Sequence, residues 1–242
     1  MALTEPVLEV RDLWFRYPGG EPVLQGVSFS VRRGERVAIL GANGVGKSTL
    51  LHLLIGLQRP ESGEVLVYET PVREPHLKAI RRRVGLVFQN PDDQLFMPTL
   101  LEDVAFGPCN YGVAREEALE AARALLERFR LTSHAAHSGH RLSGGEKRLA
   151  ALATVLALEP SILALDEPTG GLDPGWRCRL ADALSMIEWD ALLMATHDLA
   201  WVSKVAHRAL VLFDGRIRLD GPAREVLQNA SALADCGLPP HC

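Results

Sequence analysis

A glycine-rich loop between an apolar strand and the start of a helix restricts this chain more than any other sequence feature. Residues Gly41–Ser48 read Gly-Ala-Asn-Gly-Val-Gly-Lys-Ser and fit the pattern G-x-x-x-x-G-K-[ST]. The apolar segment Val37–Leu40 precedes the loop, and a helix is predicted to begin near Lys47. Short, wholly apolar strands are typical of parallel sheets that are buried on both faces.

The residue types in this loop suit a nucleoside triphosphate. Glycines accept positive φ and lack a Cβ, so successive N–H groups can surround an anion at the positive end of the helix. Lys47 is predicted to reach the β- and γ-phosphates, and Ser48 to offer its hydroxyl to Mg²⁺. We therefore expect ATP and Mg²⁺ as cofactors. The predicted nucleotide contacts in this region are Gly41, Asn43, Gly44, Gly46, Lys47, Ser48 and Thr49.

A second apolar strand, Ile162–Leu165, ends in two carboxylates, Asp166 and Glu167. Ligands of open α/β sheets bind at the carboxyl ends of the strands. Asp166 is therefore predicted to hold Mg²⁺, and Glu167 to polarise the water that attacks the γ-phosphate. An isolated acidic pair after a strand is often only a solvated turn, but its combination with the phosphate loop favours the catalytic interpretation.

Composition and charge exclude several classes of protein. The net charge is −4 and 23% of the residues are charged. The sequence therefore lacks the excess of basic residues that would indicate a nucleic-acid partner. The four cysteines are scattered, which predicts reduced thiols and neither a disulfide framework nor a zinc site. The N-terminal residues do not resemble a signal peptide, and no apolar run reaches the ~20 residues of a membrane span. We expect a soluble chain that acts at a membrane only through a partner.

A further anion-binding element begins at Leu142-Ser143-Gly144-Gly145-Glu146, where a serine cap and two glycines open a predicted helix. With this element the chain resembles the ATP-binding cassette (ABC) ATPases, from about Val7 to Gly221. The resemblance implies an α/β P-loop NTPase core with a mostly parallel sheet, an N-terminal antiparallel β part and an inserted helical subdomain. It implies a single domain over residues 1–242, with the subdomain at approximately residues 90–141.

The resemblance also implies roles for individual residues. Tyr17 resembles the aromatic residue that stacks on adenine, and Gln89 the glutamine that reaches Mg²⁺ and the attacking water. The segment Gly171-Leu172-Asp173 resembles the loop that crosses to the partner chain, and His197 resembles the histidine that contacts the γ-phosphate. Nucleotide contacts from the second anion-binding element are implied for Ser143, Gly144, Gly145 and Glu146. In this family two cassettes meet head to tail, so we expect a homodimer or a pair with a closely related second ATPase.

The segment Phe88–Phe96 and its continuation Thr99–Pro108 resemble the ATPases of energy-coupling-factor (ECF) importers, particularly those for cobalt and nickel. This resemblance implies a membrane coupling subunit, a separate substrate-capture subunit, and a peripheral location on the cytoplasmic face of the cell membrane. Phe96, Met97 and Phe106 are candidate docking residues, or else ordinary core of the subdomain. The sequence ends near residue 242, so we expect the longer C-terminal extension of many vitamin-type ECF ATPases to be absent or very short, which favours the metal branch or a short relative.

Alternative functions are an ECF vitamin (for example biotin) importer, a non-transport ABC ATPase that acts on nucleic acid or ribosomes, and a degenerate nucleotide switch. A single cassette without an excess of basic residues disfavours the non-transport ABC ATPase. The degenerate nucleotide switch is disfavoured by intact Lys47, Glu167 and His197. Histidines lie three apart at 134, 137 and 140, a spacing that spreads them around a helix, so it does not favour a metal site. A metal site formed by Cys236 and Cys242 near His241 is likewise not favoured. The transported substrate is not readable from the sequence.

Overall fold

In the computed structural model, which describes residues 5–185 and 187–238, the chain is organised in two units. The first unit comprises the described parts of residues 1–84, 161–167 and 189–242, and the second comprises those of residues 85–160 and 168–188. Within the described residues, the strands are β1 Pro6–Arg16, β2 Pro22–Arg32, β3 Glu35–Leu40, β4 Ser62–Val67, β5 Thr70–Pro71, β6 Val84–Val87, β7 Ile162–Asp166, β8 Ala191–Thr196, β9 Arg208–Phe213 and β10 Arg216–Pro222. The α-helices in the same ranges are α1 Lys47–Leu54, α2 Leu77–Arg83, α3 Leu100–Asn110, α4 Arg115–Arg128, α5 Gly144–Leu156, α6 Pro174–Ser185, α7 Leu199–Val205, α8 Ala223–Gln228 and α9 Ala230–Asp235.

The smaller sheet of the first unit is antiparallel, with the strand order β2-β1-β4-β5, and it confirms the expected N-terminal β part. In β1 the buried residues Leu8 and Val10 lie at even positions, whereas the buried residues Leu13 and Phe15 lie at odd ones. An irregularity in the register between Val10 and Leu13, where Asp12 has a φ of 44°, accounts for this change. The extra residue of a bulge reverses the alternation and so keeps both apolar pairs buried.

The larger sheet of the first unit has the strand order β10-β9-β3-β8-β7. Strand β3 pairs in parallel with β8 and β9, and β7 pairs in parallel with β8, which confirms the predicted mostly parallel sheet. All residues of β7 and β8 are buried, as their apolar sequences predict. Strand β10 is antiparallel to β9, and the turn between them places Asp214 and Gly215 at φ values of 49° and 67°. This conformation suits a primed hairpin turn.

The larger sheet carries helices that shield its apolar strands. Helix α1 contacts β7 and β8, while α8 contacts β9 and β10. One buried cluster joins β3 and β9 to the C-terminal helices through Ala38, Leu40, Val202, Ala209, Val211, Ala223, Val226, Leu233, Cys236 and Leu238. Cys236 is thus part of the core, whereas His241 and Cys242 lie outside the described residues. The parallel strands therefore end at a rigid edge where β3, β7 and β8 are held in register.

The second unit contains the helices α3, α4 and α5, which contact one another. Helix α4 buries Ala118, Ala122 and Leu126, which are spaced four apart and share one face. The predicted helical segment, residues 90–141, lies wholly inside this unit, which also includes α5 and α6. The organisation of residues 1–242 as a single domain stays a prediction. Among the described residues, no helix combines the length and apolar character needed to cross a membrane.

Candidate functional site

The predicted phosphate loop connects β3 to α1, and two of its glycines have backbone conformations that few other residues adopt. Gly44 and Gly46 have φ values of 81° and 106°. Gly41 is required by close packing, because a Cβ there would lie 2.6 Å from Val45 Cγ1 and 2.7 Å from the Leu212 carbonyl oxygen. The helix begins at Lys47 as predicted, so its unpaired N–H groups face the loop. The glycine-rich loop and the start of α1 therefore lie together at the carboxyl end of β3.

Lys47 is buried at the centre of this loop, with a relative exposure of 5%. Its Nζ donates to the carbonyl oxygens of Gly41 at 2.8 Å and Ala42 at 3.1 Å. The same Nζ lies 3.1 Å from Glu167 Oε1 at the end of β7. The lysine therefore links the loop to the carboxylate that the sequence predicts to be catalytic.

Glu167 is held from three sides in the first unit. Thr196 Oγ1 donates to Glu167 Oε2 at 3.1 Å, His197 Nδ1 lies 3.0 Å from the same oxygen, and Lys47 contacts the other oxygen. Burial alone would raise the pKa of Glu167, but His197 and Lys47 lower it below its usual value. The φ of Glu167 is 42°, a strained value for a residue with a side chain, and its N–H donates to Ala195 O at 2.8 Å. This network holds an ionised carboxylate in place at neutral pH.

Asp166 precedes Glu167 and lies in a different environment. Burial raises its pKa above the usual value, a hydrogen bond from Ser48 lowers it, and the Glu167 charge raises it. Its Oδ1 is buried and has no hydrogen-bond partner among the described residues. A buried, unpartnered carboxylate oxygen beside a serine hydroxyl is the hard oxygen donor set that Mg²⁺ prefers. Ser48 and Asp166 therefore fit the predicted ion.

Tyr17, the predicted adenine-stacking residue, lies close to this loop. Its hydroxyl forms a hydrogen bond of 3.1 Å with Thr49 Oγ1, and its ring meets Phe15 edge to face at 4.9 Å. The Tyr17 residue is 41% exposed. Asn43 is also exposed, at the tip of the loop. The first unit thus brings together Tyr17, the loop residues 41–49, Asp166, Glu167 and His197.

The other predicted site residues belong to the second unit: Gln89, Ser143, Gly144, Gly145, Glu146 and Asp173. Ser143 caps α5 in a capping box, in which its backbone N–H donates to Glu146 Oε2 at 2.8 Å. Gly145 packs against Trp176, because a Cβ at 145 would lie 2.1 Å from Trp176 Cδ2. Asp173 Oδ1 accepts the Trp176 N–H at 3.0 Å. Trp176 therefore connects the serine-capped helix to the loop that contains Asp173.

Two residues that support the predicted site residues, one in each unit, were missed by the sequence analysis. Arg148 is buried on α5 and donates to the Gln89 carbonyl oxygen at 2.6 Å and to Gly170 O at 3.2 Å, which fixes the backbone around the exposed Gln89. The sequence feature that could have identified Arg148 is the presence of an arginine in a mostly apolar predicted helix. Thr196 is fully buried and its hydroxyl donates to Glu167. The sequence feature that could have identified Thr196 is its position directly before His197.

The three histidines before Ser143 lie in short turns and their connecting segment. His134 ends a short 3-10 turn, Thr132–His134, and His140 lies in another, Gly139–Arg141. The His134 and His137 rings meet at 5.8 Å. In the part of the chain that the structure describes, no group of three or more His, Cys, Asp or Glu side chains is arranged to hold a metal ion.

Known proteins match this chain in sequence and in fold over nearly its whole length. Residues 24–170 match the family model described as ABC transporter. The chain is 40% identical over 236 residues to the energy-coupling factor transporter ATP-binding protein EcfA of Methanocaldococcus jannaschii, covering 96% of this chain and 85% of that protein. The structure of cbiO1 from Clostridium perfringens, described as part of the ABC transporter complex cbiONQ, has 34% identity and a TM-score of 0.81, and covers 97% of this chain and 95% of that one. A dimeric post-hydrolysis structure of the ATP-binding cassette MJ0796, bound to ADP and Pi, has 28% identity and a TM-score of 0.81, and covers 90% and 99%.

Proposed function

The chain belongs to the ABC transporter family of ATPases, and on this premise we propose that two cassettes close over ATP, hydrolyse it and thereby drive an importer in the membrane. The observation that carries the proposal is the position of Glu167, held by Lys47, Thr196 and His197 at the carboxyl ends of parallel strands. The dimeric form of the MJ0796 cassette supports a composite site. In such a site the Ser143–Glu146 element of one chain faces the phosphate loop of the other.

Each side chain of the first unit has a defined task in this proposal. Lys47 exchanges its contacts with the loop carbonyls for the β- and γ-phosphates, whose charge attracts its ammonium more strongly. Glu167, ionised because its pKa is lowered, accepts the proton of the attacking water. His197, whose side chain is 52% exposed, remains free to turn one ring nitrogen towards the γ-phosphate. Tyr17 offers its exposed ring to adenine.

Mg²⁺ would be held by Ser48 and Asp166 and would supply positive charge that stabilises the negative charge of the reacting phosphate. The predicted contact of Gln89 with this ion rests on the family resemblance. The role of Asp173 in the partner chain rests on the same resemblance.

Replacement of Glu167 tests the hydrolytic part of the proposal. Glu167→Gln is expected to lower ATP turnover at least about 10²-fold, because a neutral amide accepts no proton. The same variant should still bind ATP and form dimers that persist, measured by light scattering after gel filtration. Glu64→Gln, which neutralises an exposed carboxylate on β4, is the matched control. Unchanged turnover in Glu167→Gln contradicts the assigned base, and a protein that stays monomeric with ATP contradicts the composite site.

We further propose that the imported substrate is a cobalt or nickel ion and that the chain works at the cytoplasmic face of the membrane. The similarity to EcfA and to cbiO1 of the cbiONQ complex supports an ECF-type arrangement with membrane subunits. The candidate docking surface, defined as Phe96, Met97 and Phe106, supports it as well. Phe96 and Phe106 are 61% and 42% exposed and their rings meet at right angles 5.0 Å apart. Asp103 Oδ1 holds the segment by accepting the N–H groups of Phe96 and Met97.

Coexpression with the membrane proteins encoded beside its gene tests both points. Phe96→Ala should reduce copurification of the coupling subunit, whereas Leu57→Ala, another exposed apolar residue at 45%, should not. Uptake of radioactive Co²⁺ or Ni²⁺ into vesicles that contain the complex should depend on internal ATP. Uptake of biotin in place of either ion would favour the vitamin importer.

A further inference from the structure

The helix start at Ser143 combines two features that oppose each other. Its N–H groups and helix dipole favour an anion, and under the proposed function they meet a phosphate of the partner's ATP. The first turn nevertheless contains the carboxylate of Glu146, which repels a phosphate placed beside it. The direction in which this carboxylate points therefore decides how well the element accepts a triphosphate.

Both oxygens of Glu146 are held in the second unit. Oε2 accepts the Ser143 hydroxyl at 2.7 Å and the Ser143 N–H at 2.8 Å. Oε1 lies 3.2 Å from His134 Nε2, and both side chains are 26% exposed. The His134 ring is supported in turn by His137, whose ring lies edge to face at 5.8 Å. The carboxylate is thus fixed on the cap by two hydrogen bonds from Ser143 and by one contact from a separate turn.

The position of the proton on His134 follows from the surroundings of its second nitrogen. Nδ1 is buried and has no hydrogen-bond partner among the described residues. A buried N–H without an acceptor costs more than a buried lone pair, so the arrangement places the proton on Nε2. His134 then donates a hydrogen bond to Glu146 Oε1.

We propose that His134 is a positioning residue for the Ser143–Glu146 element. Its imidazole holds the Glu146 carboxylate on the Ser143 cap and away from the partner's phosphate. The inference rests on the proposed composite site and assigns a role to one residue outside the family's motifs. Without His134, Oε1 loses its donor and Glu146 gains side-chain conformations that bring its charge to the N-terminal face of α5. The N–H groups of Gly144 and Gly145 then meet the phosphate beside a competing anion.

A double-mutant cycle tests this inference, with Glu167→Gln present throughout to prevent turnover. The measured quantity is the dissociation constant of the ATP-dependent dimer, obtained by sedimentation at several protein concentrations. His134→Ala is expected to raise it about tenfold, equivalent to the loss of one charge-assisted hydrogen bond. His134→Gln, whose amide can donate to Oε1, should recover most of the loss. When Glu146→Gln removes the charge, His134→Ala should raise the constant less than about twofold.

Two further measurements separate this role from a purely structural one. ATP affinity of the dilute monomer should be the same with and without His134→Ala, because the phosphate loop lies in the first unit. His140→Ala, the matched control, removes an exposed imidazole from the neighbouring turn Gly139–Arg141 and should change the dimer dissociation constant equally with Glu146 and with Gln at that position. If His134→Ala weakens the dimer equally in both backgrounds, His134 acts through packing and the inference is wrong. If the reference protein forms no dimer with ATP, the proposed function fails and this inference fails with it.

Discussion

The phosphate loop is predicted to bind the nucleotide of its own chain and the Ser143–Glu146 element that of the partner chain, and the charged groups of the two elements are held in different ways. In the first, the side chains of Lys47 and Glu167 are 5% and 6% exposed and are fixed by contacts from β3, β7 and β8. In the second, the Glu146 side chain is 26% exposed and bonds mainly to the cap of its own helix.

This difference indicates that the two elements prepare for ligand binding in different ways. Buried charges are costly unless they are paired, so the first site must be assembled by the fold before ATP arrives. An exposed helix start satisfies its groups locally and can exchange them for a ligand at little cost. Removal of a charged group is therefore expected to have its largest effect on ATP turnover in the first element. In the second element, a steric change in the packing of the helix start is expected to have a large effect on stability.

The largest effect is expected from Lys47→Ala, which removes the ammonium for the phosphates and leaves Glu167 buried without it. ATP turnover should fall about 10³-fold, the magnitude typical for loss of a preorganised charge at a reacting group. Steady-state turnover at saturating ATP measures the effect, and Lys204→Ala, an exposed lysine on α7, is the control. A loss of less than tenfold would mean that the buried pair is not part of the catalytic site.

A steric change should have the next largest effect, in the second element. Gly145→Ala places a methyl group 2.1 Å from the Trp176 ring, which Arg179 covers at 4.7 Å on one side. The free energy of unfolding should drop by about 2 kcal/mol, as for other overpacked sites. Gly144→Ala is a close control, because a Cβ there meets nothing within 4 Å. Equal stability of the two variants in urea titrations would show that the Trp176 ring moves aside freely.

A smaller effect is expected from Thr196→Val, which removes the hydroxyl that donates to Glu167 Oε2. Turnover should fall about tenfold, since one hydrogen bond to a charged group is lost. Thr196→Ser keeps the hydroxyl and should stay near the wild-type rate. If valine and serine behave alike, His197 and Lys47 alone hold the carboxylate.

The smallest effect concerns stability at low pH. The pKa of Glu167 is lowered in the folded protein, so its ionised form contributes stability that is present above the usual value of 4.5 and lost as the pH falls through the folded pKa. The unfolding free energy of the wild type minus that of Glu167→Gln should therefore be constant from pH 8 to about 5.5 and decrease below pH 4.5. Denaturant titrations across this range measure it. A difference that increases towards acid would show that burial outweighs His197 and Lys47.

The parts of the site that sequence reasoning predicted are those in which neighbouring residues act together. The loop glycines, Lys47 and Ser48 lie within one turn and one helix start, and Ser143 with Glu146 forms a cap within four residues. Arg148 was not predicted, because its partners Gln89 and Gly170 are 59 and 22 residues away. The short helices α7, α8 and α9 were also not predicted, since six or seven residues give too little periodicity to recognise.

The sequence alone predicted the parallel sheet, the phosphate loop and the carboxylates at the end of β7, because apolar periodicity and motif spacing are properties of contiguous residues. Only the tertiary structure decided that Glu167 is ionised between Lys47 and His197 while its neighbour Asp166 has a raised pKa. The physical reason is that burial and charge at one atom depend on strands distant along the chain. The pKa values of two adjacent carboxyl groups can therefore shift in opposite directions, because the packing around each of them differs.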